Sequence, residues 1–203
     1  MTRPACQPSL FGEAVETSEP RRRIVLDGGS WLEIVAGWLV SSDTLFTALL
    51  GAARWEQRRR RMYDRTLLEP RLTAEVRRLG DAPHPLLIDS AERLSREYGV
   101  RYDSLWMNLY RDGSDSTAWH GDRISCRRDD CIVPVLTLGA ARRFVIKPRS
   151  GGCSLAFRPA AGDLIVMGGR CQRDWVHAVP KTREPTGTRI SINFQSSEQA
   201  RRP

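Results

Sequence analysis

The stretch Arg189-Ile190-Ser191-Ile192-Asn193-Phe194-Gln195 alternates strictly between apolar and polar side chains. A period of two marks a strand with one face in a core and the other turned elsewhere. Ile190, Ile192 and Phe194 take one face; Arg189, Ser191, Asn193 and Gln195 take the other. An Arg on an otherwise buried strand needs an anion, because an unpaired guanidinium in a low-dielectric interior is costly. A dicarboxylate ligand would supply that anion. An Asp or Glu of the protein itself is the competing partner.

Upstream, the same kind of pattern repeats in short runs. Segments 102–110, 131–138, 142–147, 153–158, 163–167, 174–179 and 188–195 read as strands, separated by clusters such as Asp112-Gly113-Ser114, Ser150-Gly151-Gly152 and Gly168-Gly169. Many short strands at this spacing predict a β-sandwich or jelly roll. Before residue 100 the period is helical. Ser41 or Ser42 can cap a helix over 43–53, and Pro85 can open a second over 85–98 that Gly99 closes. The fold class expected is therefore α+β, a double-stranded β-helix (jelly-roll) core with N-terminal helices packed on it. Residues 1–23, rich in Pro and Ser and ending in Arg21-Arg22-Arg23, read as a flexible tail. Residues 24–100 read as a helical or lid region, forming one domain with a catalytic core over 101–203.

Charge narrows the partners. The chain of 203 residues carries a net charge of +8, and the excess is in its second half. Residues 1–100 hold 15 Arg against 14 acids, whereas 101–203 hold 17 Lys and Arg against 10 acids. A positive field of this kind favours an anionic partner such as nucleic acid. No apolar run approaches the ~20 residues of a membrane span, and no signal peptide is visible at the N-terminus. Five Cys without a C-x-x-C pair argue against a disulfide framework or structural zinc. Reduced thiols, a cytoplasmic location, no membrane and a monomer are the expectations.

Two of the three His belong to motifs that can meet. His120-Gly121-Asp122 on a strand aims both outer side chains at one point, and His177, in Trp175-Val176-His177, can approach from another strand. Two imidazoles and a carboxylate on one face form a facial triad suited to non-haem Fe(II), with positions left open. Asn108 and Tyr110 share a strand face and can reach a polar ligand.

Taken together, Asn108-x-Tyr110, His120-x-Asp122, His177 and Arg189-x-x-x-Asn193-Phe194 resemble the AlkB family of Fe(II)/2-oxoglutarate-dependent dioxygenases. Phe144 to Pro148 and Gly162 to Gly169 are also similar to its core strands, so the likeness runs over roughly 55–195. The resemblance implies that His120, Asp122 and His177 are the catalytic metal ligands. It implies that Arg189 binds the distal carboxylate of 2-oxoglutarate, with Asn108, Tyr110, Asn193 and Gln195 around the co-substrate. It further implies Fe(II), 2-oxoglutarate and O2 as cofactors and alkylated DNA or RNA as partner. The reaction implied is oxidative demethylation of N-alkylated bases, releasing formaldehyde, succinate and CO2.

Two departures bear on this. Gln195 stands where the family usually has a second Arg, and Ile124 where repair members carry an acid that contacts the base. An oxygenase acting on a protein or small molecule is therefore the alternative, and a nucleic-acid-binding module with a degenerate site is a third. Trp55, Tyr63, Arg71 and Arg123 are candidate substrate contacts, with the Arg58–Arg61 run in the segment that forms a lid in the family. Aromatic stacking in a basic groove is a common way to hold single strands; core packing competes for Trp55 and Tyr63.

Overall fold

Strands form where the period of two predicts them. The computed structural model describes residues 21–62, 65–122 and 126–201. In chain order these are β1 (Arg21–Val25), β2 (Ser30–Val35), α1 (Ser42–Ala52), β3 (Arg59–Met62), β4 (Arg65–Leu68) and β5 (Leu72–Val76). Then come α2 (Pro85–Tyr98), β6 (Ser104–Tyr110), β7 (Thr117–His120), β8 (Cys131–Gly139), β9 (Phe144–Pro148) and β10 (Leu155–Phe157). The rest are β11 (Leu164–Gly169), α3 (Cys171–Asp174), β12 (Trp175–Val179), β13 (Arg189–Gln195) and α4 (Ser197–Ala200).

Seven strands make the larger sheet, in the order β1-β2-β11-β8-β13-β6-β5; four make the smaller, β10-β9-β12-β7. β3 and β4 form a separate hairpin. Both sheets are antiparallel in their pairings, the two-layered arrangement expected of a jelly roll. The register of β13 fixes the layers. Its Ile190, Ile192 and Phe194 join Leu105, Met107, Leu136 and Leu138 under Leu45 and Leu49 of α1 and Leu87, Ala91 and Leu94 of α2. The helices thus cover the outer face of the large sheet. α2 begins at Pro85, with His84 accepting a hydrogen bond from the Leu86 N–H, and ends at Gly99 with φ 66°, the left-handed geometry that glycine adopts without strain.

Between the sheets the filling is uneven. Leu32, Ile34, Val133, Phe144, Ile146, Phe157, Ile165, Met167 and Trp175 form a second apolar core. It draws on β2, β8 and β11 of the large sheet and on β9, β10 and β12 of the small one. The region faced by β13, β6 and β5 is lined instead by polar side chains.

Three expectations need correction. Residues 21–23 are not tail: they pair with β2 in the register Arg21↔Val35 to Arg23↔Glu33. Arg21 and Arg23 each reach the buried Glu33 at 3.0 Å, and Arg23 stacks on Trp31. The charges that suggested a tail make an edge strand that resists further pairing. Residues 1–20 lie outside the described residues. Second, 24–100 is not mainly helical, since β2 and β5 are members of the large sheet. The apolar stretch from Ile24 to Val40 hid a strand pair because glycines interrupt its alternation. Third, the thiols are not all reduced: Cys126 and Cys131 form a disulfide, with Cα atoms 6.0 Å apart, while Cys171 is a buried free thiol. The two strand-and-loop ends meet in space, which spacing without a C-x-x-C did not reveal.

Phe194 is 1% exposed and meets Tyr102 edge-on. Phe194→Ala is expected to lower unfolding free energy by about 3–5 kcal/mol, measured by denaturant titration. Leu50→Ala, at an exposed position of α1, should stay within about 0.5 kcal/mol.

Candidate active site

The polar face of β13 is one row of a wider pattern. Arg189 lies opposite Tyr110, Ser191 opposite Asn108, and Asn193 opposite Trp106 on β6. On the other side Ser191 faces Thr137 of β8. All of these but Thr137 line a cavity of about 360 Å³ between the sheets, together with Arg71, Glu75, Thr117, His120, Asp122, Phe144, His177 and Gln195.

His120 and His177 reach it from the small sheet. They are direct cross-strand partners on β7 and β12, with ring centroids 4.2 Å apart. Asp122 lies just beyond the end of β7. Its two carboxylate oxygens lie 3.7 Å from His120 Nε2 and 3.6 Å from His177 Nε2. One ligand atom from each of the three residues falls within 4.8 Å of the others. His120 Nδ1 is 2.8 Å from the Ala118 carbonyl oxygen, to which only an N–H can bond. That bond places the proton on Nδ1 and leaves the Nε2 lone pair facing the cluster. Burial pulls the His177 pKa down to about 4, so its imidazole is neutral at physiological pH and able to ligate. The donor set suits a divalent first-row cation with open positions.

Two neighbours set Asp122. The Gln172 Oε1, 1% exposed on α3, accepts a hydrogen bond of 2.8 Å from the Asp122 backbone N–H. Gly121 packs so closely on α3 that a Cβ there would lie 2.6 Å from the Gln172 carbonyl oxygen. A side chain at position 121 would push the motif off the helix, so Gly is required between His120 and Asp122.

Arg189 is 2% exposed. Its Nη2 donates to Thr137 Oγ1 at 3.1 Å, while Nε and Nη1 have no hydrogen-bond partner. Among the described residues no carboxylate pairs with it. Burial draws its pKa below the usual arginine range. The protein-carboxylate partner is thus not found, and a buried fork of donors faces the cavity, as a ligand carboxylate requires. Tyr110 lies beneath the guanidinium, 5.2 Å from ring to Cζ, and its hydroxyl shares a 2.8 Å hydrogen bond with Thr117.

Asn108 accepts from Arg71 Nε at 2.9 Å and from Trp106 Nε1 at 3.2 Å, and donates to Ser191 Oγ at 3.2 Å. Arg71 is also held by Glu69 at 3.2 Å.

The site therefore gathers His120, Asp122, His177, Asn108, Tyr110, Arg189, Asn193, Gln195 and Arg71. Trp55 is not brought in: its ring packs against the helix-side core and its Nε1 donates to the Leu49 carbonyl. Tyr63, Arg123 and Ile124 lie outside the described residues. Arg170 and Arg173, near the metal motif in sequence, pair with Asp174 and Asp129. Sequence reasoning missed Trp106, Thr137 and Gln172. Trp106 carried a signal, being two residues before Asn108 on the same strand face. Gln172 carried none, because only the fold brings α3 under the motif.

Comparison with known proteins agrees with this geometry. Residues 43–195 match the family described as the 2OG-Fe(II) oxygenase superfamily. The chain is 30% identical to alpha-ketoglutarate-dependent dioxygenase alkB homolog 3 of Bos taurus, over 78% of this chain and 62% of that protein. It is 28% identical to DNA oxidative demethylase ALKBH2 of Arabidopsis thaliana, over 86% of this chain and 69% of that one. It thus spans about three fifths of the length of alkB homolog 3, with 61% covered in the Homo sapiens protein. Its fold is similar to a 2OG-Fe(II) oxygenase family oxidoreductase from Burkholderia pseudomallei, with TM-score 0.53, 17% identity and coverage of 78% and 81%. It is also similar to a prolyl hydroxylase from Trichoplax adhaerens, with TM-score 0.57, 12% identity and coverage of 83% and 85%.

Gln172→Leu keeps bulk but removes the acceptor for the Asp122 N–H. It should weaken Mn(II) binding by about 10- to 100-fold in calorimetric titration, with the thermal unfolding of the metal-free protein still cooperative.

Proposed function

The chain belongs to the 2OG-Fe(II) oxygenase superfamily, and we propose that it is an AlkB-type member that oxidatively demethylates N-alkylated bases in nucleic acid. The observation that carries this reading is the pairing of two features in one cavity. One is a His-Asp-His cluster; the other is a buried Arg189 whose Nε and Nη1 lack a hydrogen-bond partner.

In this reading His120, Asp122 and His177 hold Fe(II), and Arg189 takes the distal carboxylate of 2-oxoglutarate. When bound, the metal and co-substrate supply with O2 the oxidising power, yielding succinate and CO2, and the N-methyl group leaves as formaldehyde. The protein's own work is orientation and exclusion of water. Thr137 and Tyr110 hold the Arg189 guanidinium in place. Asn108, fixed by Arg71, Trp106 and Ser191, presents its amide beside that anion site. Buried Phe144 on the small sheet and Val135 on the large one give the cavity apolar walls that exclude water, which strengthens each polar contact within. Gln195 lines the cavity where the family usually has a second Arg. It can donate hydrogen bonds but brings no charge, so Arg189 is the one guanidinium that β13 offers the co-substrate. A base edge inside a duplex is out of reach of such an interior site, so the substrate base is flipped out or single-stranded.

Purified protein supplied with Fe(II), ascorbate and 2-oxoglutarate is expected to release formaldehyde from oligonucleotides carrying 1-methyladenine or 3-methylcytosine. His120→Ala should abolish release without loss of fold. If 2-oxoglutarate turns over but no single- or double-stranded DNA or RNA stimulates it, the substrate is a protein or small molecule instead.

A second test separates binding from stability. Arg189→Met removes a buried charge without a carboxylate partner, so the ligand-free protein should melt at the same or a higher temperature. The same change should weaken 2-oxoglutarate by about 10- to 150-fold, the loss expected for hydrogen bonds to a charged group, and erase most of the ligand-induced rise in Tm.

A further inference from the structure

Resting on the demethylase reading, we infer that Trp106 is the platform on which the substrate base stacks. Three aromatic rings other than His line the cavity among the described residues: Trp106, Tyr110 and Phe144. Tyr110 is 2% exposed beneath Arg189, and its hydroxyl is engaged with Thr117. Phe144 is 4% exposed and stacked on the His177 ring. Trp106 differs from both: it is half-buried, and it stands on the same strand face as Asn108 and Tyr110.

Its pose is fixed from several sides. The indole Nε1 donates to Asn108 Oδ1, so the ring's polar atom is already satisfied. The Arg58 guanidinium stacks on the ring, 4.2 Å from its centroid, and is itself held by Glu75 at 3.2 Å. Arg58 lines the neighbouring groove along β5 and not this cavity, so it backs the indole from outside. What remains toward the cavity is flat apolar ring surface, immobilised in advance. That surface can gain contact area from a planar partner at little entropic cost. A guanidinium on the far side makes the indole a stiffer wall, since it resists displacement when a base presses on it. Cross-strand from Trp106 stands Asn193, a further cavity residue that can reach polar atoms of a stacked base or of the co-substrate.

Stacking tolerates any base, because each has a π-face. The inference therefore assigns Trp106 to holding the base in general, not to reading its edge. It takes the role that Trp55 cannot fill from its place against the helix-side core.

The test compares Trp106→Ala and Trp106→Phe with the wild type, using an oligonucleotide with 1-methyladenine and the same oligonucleotide with an abasic site. Wild-type protein should prefer the base over the abasic site, and Trp106→Ala should lose most of that preference. It should also raise KM for the lesion roughly 5- to 150-fold, the range of one lost base stack. Its affinity for the abasic oligonucleotide, set by phosphates, should stay within about threefold of wild type. Trp106→Phe keeps a ring but no N–H and should retain most of the preference. If Trp106→Phe loses as much as Trp106→Ala, the indole acts through Asn108 and the stacking role is overturned. It is also overturned if the wild type releases formaldehyde and Trp106→Ala keeps its KM and its base preference; the demethylase reading then still stands. No release by the wild type from any methylated oligonucleotide overturns that reading and this inference with it.

Discussion

The Arg189 guanidinium, buried on an inner strand of the large sheet and without a carboxylate partner among the described residues, organises the polar half of this molecule. A charge in such a place costs several kcal/mol of desolvation, even after local relaxation. The fold carries that cost because β13 is held on both sides, by β6 and by β8. Along the same strand Ile190, Ile192 and Phe194 are buried under the helices. A slip of one residue would bury Ser191 and Asn193 among leucines and expose Phe194. The apolar face thus sets the register, and the register sets where the charge goes. Thr137, Ser191, Asn108 and Tyr110 then follow as neighbours in the same hydrogen-bonded rows.

The space between the sheets is divided along the strand order. Toward β2 and β11 it is packed with Leu32, Ile34, Ile165 and Met167. Toward β6 and β5 it is an open polar cavity. The packed half gives rigidity where His177 emerges from β12, next to Phe144 and opposite Ile146 of β9. The open half gives room for ligands. α3 joins the two: it follows β11 directly and places Gln172 against the Asp122 backbone. The Asp122 position is thereby tied to the apolar core and not to a free loop.

Much of this was legible in the chain. The two helices begin and end where Ser41, Pro85 and Gly99 signal, because capping and φ preferences are local. Apart from β7, which was not among the expected segments, the later strands fall within two residues of their expected limits, because alternation is local too. The His-Asp-His cluster and Arg189 were legible for a different reason. Chemistry restricts which residue types can serve, and a chain with three His offers few choices. The N-terminal strands were read less well. β1 and β2 carry Arg21, Arg22, Arg23 and Glu33, charges that suggest solvent, yet Glu33 is buried because Arg21, Arg23 and Tyr98 converge on it. No local rule shows that convergence. Trp55 and Trp106 illustrate the same limit. Both are aromatic residues near arginines in sequence, and only packing sends one to the core and the other to the cavity.

What the sequence determined by itself is the periodicity of each element and the identity of the reactive groups. Both depend on residues within a few positions of one another, or on side-chain chemistry that no fold alters. What only the tertiary structure decided is convergence. It brought His120 opposite His177, set Thr137 beside Arg189, packed Gln172 under Asp122 and placed Arg58 on Trp106. The physical reason is that strand pairing and sheet stacking bring together residues far apart in the chain. Which ones meet depends on register and sheet order, and these are fixed by how all the apolar faces are buried at once.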